Sequence, residues 1–125
     1  MLNTTLLHQL ITASAERAPD APALTAGKTS LSYRELDDQV AGIASGLIGL
    51  GLDRGERVGI FLDKRAETVV ASFAAARAGG VFVPVNPILK PEQVGHILRD
   101  CNARVLITSP ERLPLLAETL AHCHD

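Results

Sequence analysis

The chain has 125 residues, a length that suits one domain, and its formal net charge is −2 at pH 7. Aromatic residues make up only 3%, so neither the basic field nor the stacking side chains that bind nucleic acids are expected. No positively charged segment precedes the first apolar residues. The most apolar stretch, residues 69–76, is too short to cross a bilayer. Together these observations predict a cytoplasmic protein without a membrane span.

The first predicted element is an amphipathic helix over residues 4–18. Asn3 is a suitable N-cap, and Pro19 ends the run. Apolar residues recur on one side of this helix at helical spacing: Leu6, Leu7, Leu10, Ile11 and Ala18. A short linker, residues 18–22, follows.

A hairpin and a long helix are predicted next. Residues 23–25 and 29–31 have the pattern of short strands, with Gly27 in the tight turn between them. Ser32 and Glu35 have the spacing of a capping box, in which each side chain bonds an otherwise unpaired backbone N–H. Gly51 ends the helix. The predicted buried face of this helix consists of Leu36, Val40, Ile43, Leu47 and Leu50.

From Asp53 onward, short apolar runs alternate with helical patterns. The runs are 58–62, 81–83 and 105–107, and the helices are 66–78, one that starts at Pro91, and 110–122 behind Ser109-Pro110. The inner face of the middle helix is predicted to carry Val94, Ile97, Leu98 and Cys101. This alternation predicts an α/β fold with a mainly parallel sheet flanked by helices. Because the runs are continuously apolar, we expect the strands to be buried on both faces.

Two glycine-containing segments partly match nucleotide-binding motifs. Gly27-Lys28-Thr29 ends like a phosphate-binding loop, but Pro22 stands where the pattern requires a glycine, and a strand rather than a helix is predicted to follow. The glycines at 46, 49, 51 and 55 lie at the end of a helix and in the turn to a strand, whereas a dinucleotide fingerprint runs from strand to helix. Chain reversal and packing explain both segments better than nucleotide binding.

The remaining candidate residues also favour structural interpretations. The sequence His122-Cys123-His124 lacks a second ligand cluster for a metal, and Cys101 and Cys123 are expected to be reduced thiols. Neither His8 nor His96 has a nucleophile or paired carboxylate nearby in sequence, and His96 is expected on a helix surface. Lys90 could meet a phosphate, although a solvated lysine before a helix is the simpler interpretation.

Four segments in register resemble the N-terminal region of the AMP-forming acyl-CoA synthetases, a family of adenylate-forming ligases. They are Ser32-Tyr33-Arg34-Glu35-Leu36, residues 49–52 with 55–58, residues 78–87 (AGGVFVPVNP) and residues 103–108. A narrower resemblance, to the acyl-CoA ligases associated with bacterial exosortase A systems, is carried by Lys64-Arg65, residues 78–87 and residues 89–94.

The resemblance implies a function for a longer parent protein. Residues 1–125 would be the opening portion of the large N-terminal domain, divided into a leading helix and linker (1–22), a hairpin and long helix (23–52) and βα units (53–125). The parent would convert a small carboxylic acid into an acyl-adenylate with ATP and Mg²⁺, then pass the acyl group to coenzyme A. The resemblance also implies a role in fatty acid metabolism. The phosphate loop and catalytic lysine of the family have no counterpart in this sequence, so no catalytic, cofactor-binding or metal-binding residue is assigned.

Two alternatives remain open at this point. The chain could begin an adenylation domain that loads a carrier-protein thiol, or it could be a standalone, non-catalytic α/β module that binds a protein partner. As an isolated piece of a ligase, it is expected to expose apolar surface that the remainder of the domain would cover, which lowers its stability.

Overall fold

Three parallel strands and a separate hairpin organise the chain in the computed structural model, which describes residues 6–63 and 65–123. The helices are α1 (Gln9–Arg17), α2 (Tyr33–Gly49), α3 (Ala66–Arg77), α4 (Pro91–Asp100) and α5 (Leu113–Leu120). The strands are β1 (Pro22–Ala26), β2 (Thr29–Ser32), β3 (Arg57–Phe61), β4 (Val81–Pro84) and β5 (Ala103–Thr108). The predicted α/β fold is confirmed, with these bounds.

The main sheet has the order β4-β3-β5, and both pairs are parallel. Val58 of the central strand lies opposite Phe82 of β4 and Val105 of β5. The central strand is buried, but Val81 at the start of β4 is 49% exposed. The expectation that all three strands are buried on both faces is therefore wrong for the outer two, in which every residue is half-buried or exposed.

Side chains on opposite faces of β3 enter two different parts of the core. Val58 packs with the buried residues of α2 and α3 and with Leu31 of the hairpin, whereas Phe61 packs with α4 and α5. Gly59 faces α4 so closely that a Cβ there would lie 2.8 Å from Leu98 Cδ2. Helices thus cover both faces of the sheet, as predicted. No helix in the described part of the chain has the length and apolar character needed to span a membrane.

The hairpin and the capping box of α2 are confirmed. Strands β1 and β2 are antiparallel, and Gly27 takes a φ of +60° in the turn between them. The Ser32 hydroxyl accepts a bond from the Glu35 N–H at 3.2 Å, and the Glu35 carboxylate accepts one from the Ser32 N–H at 3.0 Å. These bonds hold the pKa of Glu35 below its ordinary value. Gly51, with a φ of +93°, follows the end of the helix as expected.

The buried face of α2 differs from the predicted one at two positions. Leu36, Val40 and Leu47 are buried, and Ala44 joins them. Ile43 is 45% exposed and Leu50 is 71% exposed. Ile43 lies on the flank of the stripe that contacts α3 and the sheet, and Leu50 lies just beyond the last residue of the helix.

The first and last helices are shorter than predicted. Helix α1 begins at Gln9, and the proposed N-cap Asn3 and residues 4 and 5 lie outside the described residues. Of the predicted stripe, Ile11 is buried, Ala18 is half-buried and the three leucines are 40–56% exposed. Helix α5 begins at Leu113 because the preceding residues form a turn, in which the Ser109 hydroxyl and carbonyl both accept from the Arg112 N–H.

Substitution of Gly46 by alanine should raise the free energy of unfolding by about 0.5–1 kcal/mol. Gly46 lies within α2, its φ is not positive, and nothing lies within 4 Å of the position that a Cβ would occupy. Alanine therefore adds helix propensity without a collision. Thermal unfolding of this variant is compared with that of Gly27→Ala. The second substitution should lower the free energy of unfolding, because Gly27 has a positive φ. Equal destabilisation of both variants would contradict the prediction.

Candidate functional site

An apolar depression lies at the carboxyl edge of the main sheet, where ligands of open α/β sheets are commonly found. We call it the carboxyl-edge groove. It has a volume of about 620 Å³ and lies between α2, the N-terminal half of α3 and the ends of β3 and β5. Its walls are formed by Gln39, Gly42, Ile43, Leu62, Arg65, Glu67, Val70, Ala71, Ile107, Thr108, Ser109 and Pro110.

One arginine connects the loops that follow all three parallel strands. The Arg112 guanidinium donates Nη1 to the carbonyl of Pro87 at 2.9 Å and Nη2 to the carboxylate of Asp63. Its central carbon lies 4.5 Å from the centre of the Phe61 ring, a cation–π arrangement. Because the Arg112 side chain is only 19% exposed, this cation is largely engaged by the protein itself.

The loop after β3 is held by a second set of contacts. The Asp63 carbonyl accepts from the Thr68 hydroxyl at 2.6 Å, and its carboxylate lies 3.5 Å from Arg65. Arg65 is the N-cap residue of α3, but its side chain makes no capping bond. These contacts fix the beginning of α3, which forms one wall of the groove.

The charged side chains around the beginning of α3 include three carboxylates. The carboxylates of Asp63 and Glu111 lie close enough to Arg65 to interact with it, and Glu67 stands in the first turn of α3. Bonds from its own backbone and from Ser109 hold the pKa of Glu111 below its ordinary value, which keeps that side chain negatively charged at neutral pH. A polyphosphate at this helix N-terminus would meet like charges.

The glycine-bearing segments have the structural roles that were predicted. Gly27 and Lys28 form the hairpin turn, and Thr29 begins β2, so no helix follows the segment. Gly46 and Gly49 lie in the last turns of α2, and Gly55, with a φ of +81°, lies in the turn before β3. The structure brings none of these glycines into the wall of the carboxyl-edge groove.

The titratable candidates are dispersed over the fold. His96 is exposed on α4, as expected, and Lys90 is an exposed residue before the same helix, with its N–H bonded to the Gln93 side chain. His122 and Cys123 follow α5, and His124 lies outside the described residues. Cys101 and Cys123 are free thiols whose Sγ atoms donate to backbone carbonyls. Within residues 6–63 and 65–123, no three His, Cys, Asp or Glu side chains are placed to hold a metal.

Asp63 and Arg112 were not singled out by the sequence, although they organise the carboxyl edge. They are 49 positions apart, and no motif links them. The available signal is indirect, because Asp63 directly follows a buried apolar strand and a charge at the end of such a strand faces the ligand side of a parallel sheet. No comparable feature of the sequence points to Arg112.

Comparison with known proteins assigns the family. The sequence model of the AMP-binding enzyme family matches residues 11–125. This chain belongs to the AMP-binding enzyme family. That result confirms the resemblance at the level of adenylate-forming ligases, while the narrower likeness to exosortase-associated ligases stays a prediction, and Lys64, one of its residues, lies outside the described residues.

Curated relatives of this family member are very long proteins. Phosphinothricin tripeptide synthetase PhsC of Streptomyces viridochromogenes is 40% identical over 102 residues, which cover 82% of this chain and 9% of that protein. Tyrocidine synthase 3 of Brevibacillus parabrevis is 34% identical over 122 residues, or 95% of this chain and 2% of that protein. The family member therefore spans less than a tenth of the length of either relative.

Solved structures of adenylate-forming ligases have the same fold. The anthranilate CoA ligase AuaEII, in complex with anthranoyl-AMP, superimposes with a TM-score of 0.90 at 28% identity and covers 98% of this chain and 24% of that one. VinN in complex with 3-methylaspartate gives a TM-score of 0.85 at 30% identity and covers 97% of this chain and 33% of that one. This family member corresponds to a quarter to a third of each.

Proposed function

We propose that this chain forms the opening portion, residues 1–125, of the N-terminal domain of an adenylate-forming acid–thiol ligase and is not catalytic alone. The observation that carries the proposal is the family match over residues 11–125, supported by a TM-score of 0.90 to a ligase bound to its acyl-adenylate. The role of the chain is structural, since its sheet and helices contribute one wall of a larger domain.

The parent ligase activates a small carboxylic acid and passes its acyl group to coenzyme A. ATP with Mg²⁺ supplies the adenylate that turns a poor electrophile into a reactive one, and this demands several preorganised donors or cations around the phosphates. The described residues at the beginning of α3 are unfavourable for that demand, because Glu67 lies in its first turn and the Glu111 carboxylate lies near Asp63. No step of the reaction is therefore assigned to this chain.

The expected partner of the chain is the remainder of the ligase domain. The carboxyl-edge groove has an apolar floor, and Ile43 in its wall is 45% exposed. The outer sides of β4 and β5 are also without a neighbouring strand among the described residues. Covering these features would bury apolar area and satisfy strand backbone groups, both of which favour association with a larger domain.

A carrier-protein thiol is the second candidate acceptor. Its support comes from the curated relatives named above, which are peptide synthetases at 34–40% identity, whereas the CoA ligase structure is 28% identical. The same relatives do not favour a role in fatty acid metabolism. Coenzyme A and carrier-protein acceptors share the adenylation step, so the two candidates differ only in the second half-reaction.

Carboxylate-dependent exchange of labelled pyrophosphate into ATP is the deciding measurement. We expect no exchange above background from the 125-residue chain, and exchange from the product of the whole reading frame that contains it, when each is tested against a panel of carboxylic acids with Mg²⁺. The physical reason is the lack of converging phosphate donors among the described residues.

The controls separate the alternatives. Omission of the acid should abolish exchange by the longer protein, and transfer from its adenylate to coenzyme A or to a pantetheinylated carrier protein should identify the acceptor. Exchange by the short chain would overturn the proposal that it is non-catalytic. Failure of the longer protein with every acid would favour the standalone interaction module.

A further inference from the structure

A histidine at the beginning of α1 has an unusual environment for a group that titrates near neutral pH. The Nδ1 atom of His8 is buried and has no hydrogen-bond partner among the described residues. A neutral imidazole loses little in such a place, because it can keep its proton on the other ring nitrogen. A protonated imidazole would carry a buried N–H without an acceptor, which is costly.

The charges around His8 also disfavour its protonated form. His8 is the N-cap residue of α1, and the positive end of a helix dipole repels a cation. The Arg77 guanidinium, in the last turn of α3, acts in the same direction. Burial and Arg77, in that order, hold the pKa of His8 below its ordinary value.

The same corner contains the polar contacts that attach α1 to the rest of the fold. Asp37 of α2 accepts from the Thr12 hydroxyl of α1 at 3.2 Å and from Arg77 of α3 at 3.2 Å. The Asp37 carboxylate is thus already paired with Arg77. Because Ile11 is the buried residue of α1, the apolar contribution to this attachment is small.

We propose that α1 is a proton-sensitive latch, docked on α2 and α3 when His8 is neutral and released when His8 becomes protonated. The sign follows from linkage. A released α1 binds protons more readily than a docked one, so docking is fully stable above the ordinary histidine pKa of about 6.5 and weakens as the pH falls below it. The proposal is independent of ligase activity.

Hydrogen exchange of the whole 125-residue chain, measured by mass spectrometry or NMR at pH 7.5 and 5.5 and corrected for intrinsic rates, tests this latch. We expect the protection of the α1 amides to fall by up to about ten-fold at the lower pH, with the amides of β3 unchanged. The variant His8→Asn carries a residue that is favourable at an N-cap and cannot titrate, so its α1 protection should not depend on pH in this range.

His96→Asn is the matched control, since His96 is exposed on α4, and it should behave like the unmodified chain. An NMR titration of the His8 ring should give an apparent pKa below the ordinary value for histidine. Unchanged protection of α1 in the unmodified chain, or an equal loss in His8→Asn, would overturn the proposal. Loss of protection in β3 together with α1 would also overturn it, because that result indicates global unfolding rather than release of a latch.

Discussion

Replacement of Ile60 by alanine is expected to lower the free energy of unfolding by about 2–5 kcal/mol. Ile60 lies in the central strand, is 2% exposed and packs with Leu62 and Ala71, against which Phe82 and Ile107 also pack. These contacts come from α3 and from both outer strands, so the cavity left by truncation has several rigid walls and cannot collapse fully. A domain of this size has a total stability of about 5–15 kcal/mol, and one such change removes a large part of it.

Ile88→Ala is the matched comparison, because Ile88 is 83% exposed in the loop after β4. The same atoms are removed there, and the expected change is within about 0.5 kcal/mol. Urea denaturation followed by circular dichroism gives both values. Similar midpoints for the two variants would show that β3 is not the centre of the core.

The second large effect is expected where α4 and α5 touch. A Cβ at Gly95 would lie 2.4 Å from Thr119 Cγ2 and 3.1 Å from Arg99 Nη1. Arg99 can rotate away, but Thr119 is β-branched and stiff, so alanine at position 95 forces the helices apart. We expect Gly95→Ala to destabilise the chain by about 1–3 kcal/mol, although alanine favours a helix over glycine.

A double-mutant cycle isolates this contact. Thr119→Ser removes the colliding methyl group and keeps the hydroxyl, so Gly95→Ala in that background should be nearly neutral or stabilising. The double variant should therefore be more stable than the sum of the two single changes predicts. This coupling free energy should exceed the error of about 0.5 kcal/mol that is common for independent sites. An additive cycle would mean that the two helices do not approach each other at Gly95.

Local signals in the sequence predicted much of the fold. The capping box at Ser32 and Glu35 and the helix end at Gly51 depend on residues a few positions apart, and the backbone follows them. The parallel sheet followed from three apolar runs separated by helices of sufficient length to cross over. Such features depend on spacing along the chain, which the sequence displays directly.

Features that depend on distant residues were not predictable in the same way. The burial of Ala44 and the exposure of Ile43 depend on where α3 and the sheet contact α2, and the pattern of the helix alone does not reveal this. The carboxyl-edge groove and the Arg112–Asp63 contact arise where the loops after the three parallel strands converge. A single charged residue in a loop has no periodicity, so its partner becomes visible only when the strands are in register.

The order of strands in the main sheet has a consequence for how the protein is made. The middle strand, β3, is synthesised first, and Ala103 of β5 follows its partner Arg57 by about 46 residues. At 5–20 residues per second, a ribosome adds that length in roughly 2–9 seconds. During this interval one side of the nascent strand has no hydrogen-bonding neighbour, and Ile60 and Phe61 lack part of their cover. Chaperones that recognise apolar strands would therefore have access to β3 before its final neighbour has emerged.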